Sequence, residues 1–176
     1  VAKADNWVKT YKGEISNSPA ELGNACEEIY MCIGNDDDVR EVISGENGIL
    51  SSISPGGIIV DHTTTSSILS NDMSEICLKK GVHYIDAPVS GGQAGAENGS
   101  LTIMAGGDKD AFDKAKITMN CYAKFTKLMG SSGSGQLTKM VNQICIAGLV
   151  QGLAEGINFS EKAGLVTEEV IEVISK

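Results

Sequence analysis

The sequence has no CxxC pair, no basic stripe and no phosphate-binding P-loop, and each absence argues against a class of function. Its five cysteines, at 26, 32, 77, 121 and 145, are odd in number and scattered through apolar runs. That pattern reads as reduced core cysteines in a reducing compartment rather than disulfides or metal ligands. The two histidines, His62 and His83, have no third ligand nearby in sequence, so no metal site is expected. Lys and Arg total 14 against 23 Asp and Glu, a net charge of −9. This balance argues against nucleic acid and against anionic membrane surfaces as partners. The longest uncharged stretch, Met140 to Ala154, is too short to span a bilayer and contains Asn142, Gln143 and Gln151. No signal peptide opens the chain, so a cytoplasmic location is the default expectation.

What is present is a chain of 176 residues, 41% hydrophobic, able to bury one sizeable core and part of a second. Its 21 glycines, without a collagen period, point to tight turns and close backbone approaches. Residues 1–12 read as the end of a helix, and Ser18-Pro19-Ala20-Glu21 as a capping box opening another. Ile29–Ile33, Ile58–Asp61 and Val82–Asp86 are short apolar runs of the kind found in buried parallel strands. Asn35 opens a helix ending near Gly45, and Thr63-Thr64-Thr65-Ser66 supplies N-cap hydroxyls for a helix running to Lys80. Strands alternating with helices predict a doubly wound α/β sheet, with later strands at Leu101–Ala105 and Phe125–Leu128 around a helix from Asp110 to Cys121. The Gly/Ser cluster 130–135 marks a boundary between residues 1–133 and 134–176. Beyond it one long helix runs from about Gln136 to Ala163, with Gly148, Gly152 and Gly156 in a stripe suited to close packing in an assembly, and Thr167 caps a further helix.

Two runs carry the chemistry. Asp86-Ala87-Pro88-Val89-Ser90-Gly91-Gly92 follows a strand, where open α/β sheets bind ligands, and offers a hydroxyl and flexible backbone to an acid. It reads equally as a Gly-rich turn, with Ala94-Gly95-Ala96 keeping it open. Gly133-Ser134-Gly135-Gln136-Leu137-Thr138-Lys139-Met140-Val141-Asn142 puts Lys139 and Asn142 on one helical face. A Lys in apolar surroundings serves as a general acid or base, although the pair also reads as a surface Lys beside a capping Asn. Thr63-Thr64-Thr65 contacts a ligand at the sheet edge or simply caps the next helix.

Together these stretches, with Val60-Asp61-His62-Thr63-Thr64-Thr65 and Gly99–Gly107, resemble the β-hydroxyacid dehydrogenase family, in particular its 3-hydroxyisobutyrate dehydrogenase-like members. The resemblance implies a Rossmann-type domain, a long interdomain helix and an all-helical domain. It implies reversible hydride transfer between NAD or NADP and a small 3-hydroxy acid, with a 2-hydroxy-3-oxopropionate (tartronate semialdehyde) reductase as the near alternative. By motif, Lys139 would be the acid/base and Asn142 its assistant. Ser90, Gly91 and Gly92 would hold the substrate carboxylate, and Cys32, Ile33 and Thr64 would approach the cofactor. A homo-oligomer, dimer or tetramer, is also implied.

The family's opening strand, GxGxxG turn and second strand are not in this sequence. They would lie between a strand near Gly13–Ser16 and the one at Ile29–Ile33. The Rossmann sheet is therefore expected to be partial, the residues to belong to a longer chain, and the 176 residues alone to be inactive. A rival of another class is a non-catalytic oligomerisation module built on the glycine-striped helix.

Overall fold

A computed structural model describes residues 2–176. They fall into two compact units, Val1–Lys139 and Met140–Lys176. The first holds six strands: β1 (Glu28–Met31), β2 (Ile58–Asp61), β3 (His83–Asp86), β4 (Val89–Ser90), β5 (Leu101–Gly106) and β6 (Ala123–Gly130). The helices preceding β2 are α1 (Ala2–Thr10), α2 (Pro19–Ala25) and α3 (Asp36–Ser44). Next come α4 (Ser67–Leu78), α5 (Gly92–Glu97) and α6 (Lys109–Met119). Helix α7 (Ser134–Lys162) starts in the first unit and runs into the second, which ends with α8 (Thr167–Ile174).

β1, β2 and β3 are parallel, as the apolar runs predict. β5 and β6 are parallel to each other, but β5 runs antiparallel to β3 and β4, so the sheet is mixed. The reason is length: the residues from Gly91 to Ser100 hold only the six-residue α5, less than a parallel crossover needs. Asp86 pairs with Gly106, and Val89 and Ser90 continue in the same register, so β3 and β4 are one strand interrupted at Ala87-Pro88. The run at Ala94-Gly95-Ala96 is therefore helical, not an open loop. The strand expected near Gly13–Ser16 does not form; with no strand beside it to complete a ladder, its backbone stays irregular.

Period-2 alternation sends each central strand's side chains to two cores. Ile59 and Tyr84 join Val39, Ile43, Leu69, Met73 and Cys77 from α3 and α4 on one face. Ile58, Val60, Ile85 and Ile103 meet Ala111, Phe112, Ala115 and Met119 of α6 on the other. Complete burial of each such aliphatic side chain stabilises by about 1.5–3 kcal/mol.

Caps follow the sequence with three changes. Ser18 accepts from the Glu21 amide, but the Glu21 carboxylate takes the Asn17 amide rather than Ser18's. Only Ser66 caps α4, because Thr63 and Thr65 are turned inward. Thr167 is the first residue of α8, not its cap, and its hydroxyl pairs with Ser160 instead. The cysteines also differ from expectation: Cys77 is core, whereas Cys32, Cys121 and Cys145 are exposed, since apolar neighbours in sequence do not place a residue on the inner face. By length and composition alone α7, which extends on both sides of the uncharged stretch Met140–Ala154, is long and apolar enough to cross a membrane, and polar Gln143 and Gln151 interrupt it.

Candidate functional site

Met31, Asp61 and Asp86 are successive register partners, so the segments that follow β1, β2 and β3 all leave the sheet at its carboxyl edge. Ligands of open α/β sheets bind outside that edge. The Cys32–Ile33 and Thr63–Thr65 segments are tied to each other there. The His62 amide donates to the Met31 carbonyl at 2.8 Å, and the Ile33 amide to Thr63 Oγ1 at 3.0 Å. Cys32 and Thr64 are exposed, and Ile33 is half-buried.

Two aspartates are fully buried at this edge. Asp61 accepts from the Thr63 amide and from Tyr84 Oη, both at 2.9 Å. Asp86 accepts from the amides of Gly133 at 2.7 Å and Gln136 at 3.0 Å, satisfying the start of α7 from across the fold. Burial raises both carboxyls above the ordinary carboxylate range, and these hydrogen bonds oppose the rise. At Gly135 a Cβ would lie 2.4 Å from the Met104 carbonyl and 2.7 Å from Asp86 Oδ2, so only glycine lets α7 begin this close to the sheet.

Gln136 is also fully buried. Its Nε2 donates to the Thr63 carbonyl at 2.7 Å, and its Oε1 accepts from the Thr65 amide at 3.1 Å. One turn later Lys139, half-buried, donates its Nζ to the Val89 carbonyl at 2.8 Å. This places the ammonium beside half-buried Ser90. The chain then swings out through Gly91 and Gly92, whose φ angles of +132° and +62° suit glycine.

Three successive carbonyls of this segment thus have donors. His62 Nδ1 lies 2.7 Å from the Ala87 oxygen, the Met104 amide donates to Pro88 at 3.1 Å, and Lys139 serves Val89. Nδ1, facing a carbonyl, is the donor there; Tyr122 Oη lies 2.9 Å from His62 Nε2, and burial lowers the His62 pKa.

The fold therefore brings Lys139 to Ser90, and Cys32 and Ile33 to the Thr63–Thr65 segment. Asn142 lies further along α7 in the second unit and is half-buried. The sequence reading gave no role to the side chains of Asp86, Gln136 or His62. A signal existed for Gln136: a polar residue opening an apolar helix needs partners if it is buried. Among the described residues no cluster of three or more His, Cys, Asp or Glu could hold a metal.

Residues 1–142 match the family model described as the NAD binding domain of 6-phosphogluconate dehydrogenase. Residues 133–176 match one described as NAD-binding of NADP-dependent 3-hydroxyisobutyrate dehydrogenase. The chain is 50% identical over 175 residues to an uncharacterized oxidoreductase of Shewanella frigidimarina, covering 99% of this chain and 60% of that protein. It is 40% identical over 167 residues to the probable 3-hydroxyisobutyrate dehydrogenase-like 2, mitochondrial, of Arabidopsis thaliana, covering 95% and 56% respectively. The structure of Mycobacterium tuberculosis 3-hydroxyisobutyrate dehydrogenase with L-serine superposes with a TM-score of 0.90 at 24% identity, over 99% of this chain and 59% of that one. The chain thus spans less than two thirds of the length of these relatives.

Proposed function

The chain belongs to the β-hydroxyacid dehydrogenase family, and on that premise we propose that it forms the hydride-transfer site of an NAD(P)-linked oxidoreductase acting on small 3-hydroxy acids. Within that class we assign it to the 3-hydroxyisobutyrate dehydrogenase type. The observation that carries the assignment is the Lys139 Nζ contact with the Val89 carbonyl, which joins the helix-borne ammonium to the Ser90 segment across fifty residues of sequence.

An ammonium has three donors, and the Val89 carbonyl takes one. The others are left for the substrate oxygen: in reduction the ammonium gives it a proton, and in oxidation Lys139, as the neutral amine, takes the hydroxyl proton and becomes the ammonium. Ser90 Oγ and the backbone at Gly91 and Gly92 hold the substrate carboxylate, so the hydroxyl is presented to Lys139 at a fixed angle. Asn142 assists by orienting the substrate hydroxyl or the amine.

The residues fit a nicotinamide end at the carboxyl edge: Thr64 exposes its hydroxyl, and the buried Thr65 Oγ1 has no partner in the fold. Thr64, with Cys32 and Ile33, would hold it there. When bound, NAD or NADP supplies the hydride acceptor for oxidation and the hydride donor for reduction. The 176 residues contain no GxGxxG turn, so assays belong with the complete protein.

The test is a panel of small 3-hydroxy acids and 3-oxo acids with NAD and NADP. Turnover of 3-hydroxyisobutyrate above the rest supports the assignment. Preference for tartronate semialdehyde moves it to the reductase, and no turnover of any panel member contradicts it.

A further inference from the structure

Among the described residues, Gln136 is the side chain that hydrogen-bonds on both sides of Thr64. Its amide donates to the Thr63 carbonyl and accepts from the Thr65 amide, while Thr64 itself is exposed. The Gln136 backbone amide is held by Asp86, and Lys139 follows three residues later, about 4.5 Å along the helix axis. We propose that Gln136 is a positioning residue that fixes the cofactor-contacting Thr64 against the acid/base Lys139, an inference that rests on the function proposed above.

The argument is one of reach and polarity. Of the side chains this long, a neutral amide presents a donor and an acceptor side by side at every pH, and a carboxyl does so only when protonated. Glutamate offers two acceptors when ionised, and methionine neither. Because Gln136 is fully buried, the Thr63 carbonyl and Thr65 amide have no water to replace it. Gly135 leaves no slack between α7 and the sheet, since any Cβ there would collide with Met104 and Asp86. The Thr63–Thr65 segment and the first turns of α7 therefore move as one body. Hydride transfer and proton transfer need their partners placed together, and a misplacement of about 1 Å is enough to cost roughly a hundredfold in rate.

The decisive variant is Gln136→Glu in the complete protein. When protonated, the new carboxyl reproduces the amide, its O–H donating to Thr63 and its carbonyl accepting from Thr65. When ionised it has no donor for the Thr63 carbonyl and is repelled by it, with Asp86 on the Gln136 amide and Asp61 on the Thr63 amide, so the carboxylate turns away and the Thr65 amide loses its acceptor too. The expected result at neutral and alkaline pH is a raised KM for the dinucleotide and a kcat lowered about ten- to a hundredfold. Both return toward wild type on acidification. Without dinucleotide, hydrogen exchange at the Thr65 amide is faster than in wild type and recovers over the same pH range.

Wild-type KM and Thr65 exchange at every pH would overturn the proposal. So would a fall in kcat alone, because loss of active protein leaves KM unmoved. Should Gln136→Glu fail to fold, Gln136→Met gives the same KM rise and fast exchange without recovery in acid, and an unchanged KM there overturns it equally. Wild-type turnover by Lys139→Ala would instead defeat the proposed function and leave the exchange result standing.

Discussion

Among the described residues up to Lys139 the chain buries seven polar or charged residues, among them Asp61, Asp86 and Gln136, along with two apolar cores. Between Met140 and Lys176 Ser160 alone is buried, and Ile144, Leu149, Phe159 and Val173 stand at least 70% exposed. The first unit uses hydrogen bonds inside its fold to hold the side chains of Asp61, Asp86 and Gln136 in place. The second presents apolar faces that two helices cannot cover for themselves. Precision at the proposed site thus comes from the sheet edge and the first turns of α7.

The largest effect that tests this contrast is Asp86→Ala. It leaves the buried amides of Gly133 and Gln136 without an acceptor, and a loss of about 2–5 kcal/mol in urea unfolding is expected. A loss within about 0.5 kcal/mol, as at an ordinary surface position, would show that the α7 start is not anchored there. Next is Gly135→Ala, whose Cβ overlaps the Met104 carbonyl. Overpacking of this kind costs about 1–3 kcal/mol, and turnover should fall because Lys139 moves with the helix. Wild-type activity in that variant would break the link between close packing and the site.

A smaller effect is the pH dependence of stability that the buried His62, Asp61 and Asp86 of the first unit contribute. Burial lowers the His62 pKa, so as pH falls below the ordinary imidazole value the unfolded state takes up its proton first and stability drops. Asp61 and Asp86 act in the opposite sense. Their raised pKa values make the folded state the stronger proton binder, so stability rises as pH falls through them. From neutral to mildly acidic pH the urea midpoint of wild type should fall relative to that of His62→Gln. An identical pH dependence in both would remove His62 from the account. Smallest is Leu149→Ser combined with Leu153→Ser. In the 176-residue chain, unfolding free energy should change by under about 0.5 kcal/mol while ANS emission falls, because these side chains are exposed. Unchanged emission would place the dye elsewhere.

Much of the first unit is legible in sequence because short apolar runs bounded by Gly, Asn and Ser leave few alternatives. Asn35 caps α3 with a reciprocal bond from Asp38, as the run of acids after it suggests. What escaped is long-range. The antiparallel β5 depends on how far ten residues can cross, and the failed strand at Gly13–Ser16 on what lies beside it. The partners of Gln136 are 71 and 73 residues away, and nothing in its own neighbourhood names them. The Lys139–Asn142 spacing was visible, but the contact that gives Lys139 its place, with Val89, was not.

The central claim is that Lys139 transfers the substrate's hydroxyl proton, and turnover of Lys139→Ala measures it most directly. In the complete protein, with 3-hydroxyisobutyrate and NAD or NADP saturating, kcat should fall about 10²- to 10⁴-fold with the thermal midpoint near that of wild type. Turnover within a few-fold of wild type would contradict the claim.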